Sequence, residues 1–344
     1  MKAAVLTRAE HIEIQEIPMA KIQTPTEVLV KVKAIGICGT DIHVYKGERQ
    51  DVTYPRIMGH ELSGIVAKTG VSVSGLQEGD HVIFDPVLAC HACRSCRDGH
   101  ENVCGQVKCF GVQADGGFQE YIAVEEASLY KIPEEVSFET AALGEPFSIA
   151  ANILSKAQVK EGEQVLILGA GTIGISILQI AKNLQAKVMM SDISEKKLDH
   201  AREFGADVLV NSRKEDLEEA IKREFENHVD VIIDAVGLSV TLESAVKLAS
   251  PCARIVVIGF DSHDLKISPS DITRKELVLL GSRMNNKRFP QVVQWLKEGV
   301  ITDKMISQYY SLDELDQAFQ ETLKHGEEWM KTMIRMEDTK NEKI

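Results

Sequence analysis

The chain has 344 residues, 44% of them hydrophobic, enough to bury the cores of two domains of ordinary size. A formal net charge of −13, spread along the sequence rather than gathered in a tail, repels phosphate backbones and excludes nucleic acid as a partner. No run approaches the roughly 18 apolar residues a membrane span needs, and the N-terminus is charged too early for a signal peptide, so the expectation is a cytoplasmic chain with no membrane partner whose seven cysteines stay reduced.

From residue 1 to about 150, short β-rich runs are broken by Gly and Pro, among them Glu27 to Lys33, Leu62 to Lys68 and His81 to Asp85, which reads as irregular all-β structure. Dispersed through this half are Cys38, within Gly36-Ile37-Cys38-Gly39-Thr40-Asp41-Ile42-His43; His60 and Glu61, after Gly59; and Glu145, between Gly144 and Pro146. A Cys, a His and a carboxylate offer a zinc ion three protein ligands and leave its fourth position open for water or substrate. Each also has a plainer reading alone: Cys38 as a small core residue, His60 as a hydrogen-bonded loop histidine, Glu145 as a solvated turn residue. Between them lie Cys90, Cys93, Cys96 and Cys104, four thiols within fifteen residues of a Gly- and Asp-containing lobe at about 86–108. Four thiolates at that spacing close a tetrahedral zinc site with no open position, a structural arrangement rather than a catalytic one. His91 and His100, in the same lobe, read as solvated loop residues.

From about Gln164 the pattern changes to apolar runs alternating with amphipathic helical stretches. Six strands are predicted, at Val165 to Leu168, Lys187 to Met190, Val208 to Val210, Val231 to Ile233, Arg254 to Ile258 and Leu277 to Leu280. Helices near Ile173 to Leu184, Glu195 to Phe204, Lys214 to Phe225 and Val240 to Ala249 separate the first five, as a parallel doubly wound α/β sheet requires. Directly after the first strand, Gly169-Ala170-Gly171-Thr172-Ile173-Gly174 opens a helix. In that context Gly169 makes the tight turn, Gly171 admits a pyrophosphate, and Gly174 packs helix on strand. Asp192 ends the second strand, where a carboxylate binds ribose hydroxyls and repels a 2′-phosphate, so NAD is preferred over NADP. The sixth strand is an apolar sheet edge, which a second copy of the chain would cover. A helix at Phe289 to Lys297 and an apolar strand at Met330 to Met336 follow, and the last eight residues are polar and read as a frayed end.

Gly-His-Glu at 59–61, the four-Cys lobe, Glu145-Pro146 and the glycine fingerprint, in that order, resemble the zinc-containing medium-chain alcohol dehydrogenase family over essentially the whole chain. The resemblance implies a GroES-like catalytic domain over 1–150, a Rossmann NAD-binding domain over 151–290, a return to the catalytic domain over 291–344, and an active site between the two. It places Cys38, His60 and Glu145 at the catalytic-zinc positions, with Glu61 a nearby carboxylate that enters the coordination sphere in polyol-type members. Two zinc ions per chain follow, one catalytic and one structural. Thr40 and His43 match the family's proton-relay positions. Glu145 stands where ethanol-type members usually carry a second Cys, which resembles the sorbitol, threonine and sugar-acid dehydrogenases instead. The segments Ala114 to Phe118 and Gly281 to Asn285 look like those of bacterial galactonate and idonate dehydrogenases, and Lys46, Arg49, Lys287 and Arg288 offer cations to a substrate carboxylate. The expected reaction carries hydride from a secondary hydroxyl of a polyol or sugar acid to NAD, in a homodimer or homotetramer. The alternatives are a threonine or 2,3-butanediol dehydrogenase and, outside enzymes, a zinc- and NAD-binding protein without turnover.

Overall fold

The computed structural model describes residues 1–259 and 261–337; the polar end at 338–344 lies outside the described residues. The chain forms two compact units, one of Met1–Glu145 with the segment from Phe289 onward, the other of Pro146–Arg288.

In the first unit a seven-stranded sheet runs in the order Leu129–Lys131, His81–Phe84, Glu61–Thr69, Glu27–Gly36, Lys331–Arg335 and Ile306–Ser311, with Tyr121–Glu125 pairing off this path onto Glu27–Gly36. The ten-residue strand Glu27–Gly36 is central because Val28, Val30 and Val32 alternate along it and are all buried, meeting Leu62, Val66, Phe84, Phe118 and Phe319 in one core. Its far end matters for function. Lys331–Arg335 pairs antiparallel to it with Met333 opposite Gly36, so the C-terminal strand lies beside the segment leading into Cys38.

The first 145 residues are not all-β. Short helices form at Gly39–Tyr45 and Phe138–Ala142, and a fourteen-residue helix begins at Gly144 and runs to Ala157. Local bonds explain the short ones: the Asp41 carboxylate accepts from the Cys38 amide at 2.9 Å, and Ser137 Oγ accepts from the Thr140 amide at 3.2 Å. In the long one, Phe147, Ala150, Ile153, Leu154 and Ala157 are buried at helical spacing, and Pro146 sits in the first turn, where its missing N–H costs nothing.

The second unit is a six-stranded, wholly parallel sheet whose strands, counted along the unit, lie in the Rossmann order 3-2-1-4-5-6. Val165, Leu166 and Ile167 of the first strand are 0% exposed, as expected of a strand covered by helices on both faces. A short helix at Pro269–Thr273 precedes the last strand, a feature the periodicity did not announce. That strand, Val278–Gly281, is the sheet edge and leaves Val278 and Leu279 exposed. Among the described residues no helix is long and apolar enough to cross a membrane.

Candidate active site

Cys38 immediately precedes the Gly39–Tyr45 helix, and Asp41 in its first turn ties two loops together. Fully buried, Asp41 accepts from the Cys38 amide through Oδ2 and from the Gly59 amide through Oδ1, at 2.9 and 3.3 Å. The same Oδ1 lies 3.4 Å from Nδ1 of His60, although that buried nitrogen makes no well-formed hydrogen bond. From the other side, the Gly116 amide donates to Ile57 O and the Gly117 amide to Gly59 O, at 2.7 and 2.8 Å. The segment 114–118 therefore braces the His60 loop. One ligand atom each from Cys38, His60 and Glu61 then lie within 4.8 Å of one another.

Charge around this cluster is mainly negative. Burial opposes protonation of His60, yet the Asp41 carboxylate and Cys38 outweigh it and hold the imidazole well above its ordinary pKa. The surroundings thus favour a positive charge, which a divalent ion between thiolate, imidazole and carboxylate meets directly. The donor set fits zinc. Both Glu61 oxygens accept from Lys331 Nζ, and a side chain at Gly36 would run into that carboxylate. Glu145 lies outside the three-residue cluster, in the first turn of its helix; burial pushes its carboxyl up to about 8, with Glu61 adding to the shift against the opposing charges of His60 and Lys331. Burial likewise pushes the Cys109 thiol up to about 12 in the field of the same residues. Sequence reading gave Cys109 no role.

Thr40 and His43 are three residues apart on one short helix and so share a face. Thr40 is half-buried; the His43 ring is exposed and its Nδ1 meets Glu48 Oε2 at 2.5 Å. Of the cations considered for a substrate, Arg49 pairs with Asp51 and Arg288 donates to Ser155 Oγ at 2.6 Å.

The four thiols of the lobe also converge. Their sulfurs lie within 4.8 Å of one another, with Cys90 to Cys104 at 3.4 Å and Cys93 to Cys96 at 3.5 Å. Amides of Cys96 and Gly105 pull the Cys93 thiol down to about 6, toward the thiolate a metal binds. His91 and His100 are exposed and stand outside this group.

At the glycine loop each glycine has a different reason. Gly169 adopts φ +99°, and a Cβ on Gly174 would press into the Gly169 carbonyl, 3.0 Å from its carbon and nearer its oxygen. Gly171, at the N-cap of the Thr172–Asn183 helix, has an ordinary φ of −78°, and a Cβ there meets no protein atom within 4 Å. Protein packing does not demand a glycine there, and the backbone at the helix start is left uncovered. Ile173 is half-buried in the same first turn. Asp192 reaches back to the loop, accepting from the Ala170 amide at 2.8 Å and the Ser194 amide at 2.9 Å.

Two family profiles match the chain, "Alcohol dehydrogenase GroES-like domain" over residues 24–134 and "Zinc-binding dehydrogenase" over 172–298. Starvation-sensing protein RspB of Escherichia coli K12 is 39% identical over 94% of this chain and 97% of its own length. The chain belongs to the zinc-containing medium-chain alcohol dehydrogenases. L-galactonate-5-dehydrogenase of Escherichia coli K12, 33% identical, matches 93% of this chain and 94% of its own. A crystal structure of the rspB alcohol dehydrogenase of Escherichia coli CFT073 with NADH, 36% identical, superposes with a TM-score of 0.92 over 97% of this chain and 99% of that one.

Two residues of this medium-chain dehydrogenase site were given no part by sequence reading. Asp41 carries a local sign, since an acidic residue three positions after Cys38, at the start of a helix, is a capping signal. Lys331 opens the strand Lys331–Arg335, and a lysine within the apolar run Met330 to Met336 is the sequence sign of a charged partner.

Proposed function

We propose that this chain is a zinc-dependent, NAD-linked dehydrogenase acting on a secondary hydroxyl of a polyol or sugar acid. The observation that carries the reading is the donor set: Cys38 and His60 accompanied by two buried carboxylates, Glu61 and Glu145, and, among the described residues, by no second cysteine in the cluster. A zinc ion held there would supply Lewis acidity to the substrate hydroxyl, and NAD would accept the hydride.

The remaining work belongs to the chain's own side chains. Cys38, His60 and one of the two carboxylates hold the ion, with Asp41 orienting His60 from behind. Thr40, two residues past Cys38, takes the substrate's hydroxyl proton as it gives up its own toward His43. His43, open to solvent and paired with Glu48, delivers that proton to water. Gly171 and the helix N-terminus it caps receive the pyrophosphate, and Asp192 the adenosine ribose. Cys90, Cys93, Cys96 and Cys104 hold a second zinc ion that stabilises their lobe. The sugar-acid side of the reading draws support from L-galactonate-5-dehydrogenase, a relative named for such a substrate.

The test is the purified chain with NAD and a panel of polyols, sugar acids, threonine, 2,3-butanediol and primary alcohols, followed by NADH absorbance. Fastest turnover is expected on a polyol or sugar acid. Faster turnover on a primary alcohol, or none on any secondary alcohol, overturns the reading.

A further inference from the structure

The Glu61 carboxylate sits within ligand distance of the Cys38–His60 pair, yet both its oxygens are already engaged. Lys331 Nζ donates to Glu61 Oε1 at 2.8 Å and Oε2 at 2.6 Å, and to Ile37 O at 3.0 Å, so an ammonium with three protons has three acceptors. The two side chains are 2% and 1% exposed, so water does not compete for either. Backbone pairing fixes the lysine: its strand lies against Gly36, and the neighbouring Thr332 carbonyl accepts from the Ile37 amide at 2.9 Å. An ammonium next to a metal cation is repelled unless an anion stands between them, and Glu61 is that anion. Glu145 is a second buried carboxylate whose charge is felt by the same group of residues. There are thus two buried carboxylates near one ligand position, and Lys331 holds both oxygens of Glu61.

We propose that Lys331 is a positioning residue that sets how strongly Glu61 can hold the catalytic metal. By binding both oxygens it draws electron density from the carboxylate and leaves it a weak, displaceable donor. The coordination position that substrate must enter stays exchangeable as a result. Without Lys331, Glu61 is an unshared buried anion beside a dication, binds it fully, and closes that position. The inference rests on the reading that Cys38 and His60 hold a metal.

A cobalt-substituted protein reports this directly, because the visible absorption of Co(II) responds to what occupies its coordination sphere. The full chain is loaded with Co(II), and its spectrum is followed while imidazole is added as an outside ligand. Wild type and Lys331→Arg are expected to shift as imidazole enters. Lys331→Met is expected not to respond, and to release cobalt to a chelator about tenfold more slowly, the low end of what residues behind metal ligands typically command. In Lys331→Met/Glu61→Gln the imidazole response returns. A merely structural ion pair would lower stability in Lys331→Met without closing the metal to imidazole. Should Lys331→Met fail to fold, Lys331→Gln takes its place with the same expectations. A Lys331→Met protein that titrates like wild type, or a lost response that Glu61→Gln does not restore, overturns the inference while leaving the metal site standing. Uptake of no cobalt beyond that in the four-Cys lobe removes the metal site itself and the inference with it.

Discussion

Gly171 and Gly174 stand three residues apart in one turn, and alanine at each should have opposite consequences. At Gly174 the new methyl group meets backbone, the carbonyl of Gly169, which itself is held at φ +99° and moves only with its loop. Overpacking of this kind costs about 1–3 kcal/mol, and alanine returns roughly 0.4–1 kcal/mol through the unfolded chain. At the middle of the two ranges the net loss is about 1.3 kcal/mol, which lowers the melting point of a unit this size by roughly 3–5 °C. At Gly171 the methyl group enters open space at a φ any residue adopts. There the gain through the unfolded chain and the poorer N-cap nearly cancel, leaving stability within about 0.5 kcal/mol of wild type. The same methyl group stands where the pyrophosphate is proposed to approach, so NADH affinity should fall in Gly171→Ala. Differential scanning calorimetry of the ligand-free proteins and fluorescence titration with NADH measure the two effects. A Gly174→Ala protein that melts with wild type, or a Gly171→Ala protein that binds NADH as wild type does, refutes the assignment of packing to one glycine and ligand space to the other.

Cys93→Ser opens the four-thiol site and should lose one zinc ion together with thermal stability; lost turnover at an unchanged melting point would place that lobe in the chemistry instead. Asp192→Ala removes the carboxylate that would repel a 2′-phosphate, so KM for NAD should rise and KM for NADP fall, whereas wild type already faster with NADP would end the argument. The edge strand Val278–Gly281 exposes Val278 and Leu279. Wild type should therefore scatter light as a dimer or tetramer and Leu279→Lys as a smaller species; a monomeric wild type at micromolar concentration is the contrary result.

The parallel sheet was legible because its strands are covered on both faces and so read as unbroken apolar runs, Val165 to Leu168 and Val231 to Ile233 among them, and because the glycine fingerprint is local in sequence. The Gly39–Tyr45 helix was not legible. It carries β-branched Thr40, Ile42 and Val44, and depends on a side chain, Asp41, bonding back to the Cys38 amide. Pro146 suggested a turn at Glu145, whereas a proline in the first turn begins a helix as readily as it ends one. The partnership of Glu61 with Lys331 spans 270 residues and is made by strand pairing, which no local pattern encodes. Ligand types were thus readable from residue chemistry, while the lysine that holds one of them was hidden by distance along the chain.

The central claim is that Cys38, His60 and a neighbouring carboxylate hold a second metal apart from the four-thiol lobe, and anomalous diffraction at the zinc edge from crystals grown without chelator tests it most directly. Two peaks are predicted, one enclosed by Cys90, Cys93, Cys96 and Cys104, the other bonded to Cys38 Sγ, a His60 ring nitrogen and an oxygen of Glu61 or Glu145. A single peak in the four-thiol lobe, with none between Cys38 and His60, would contradict the account.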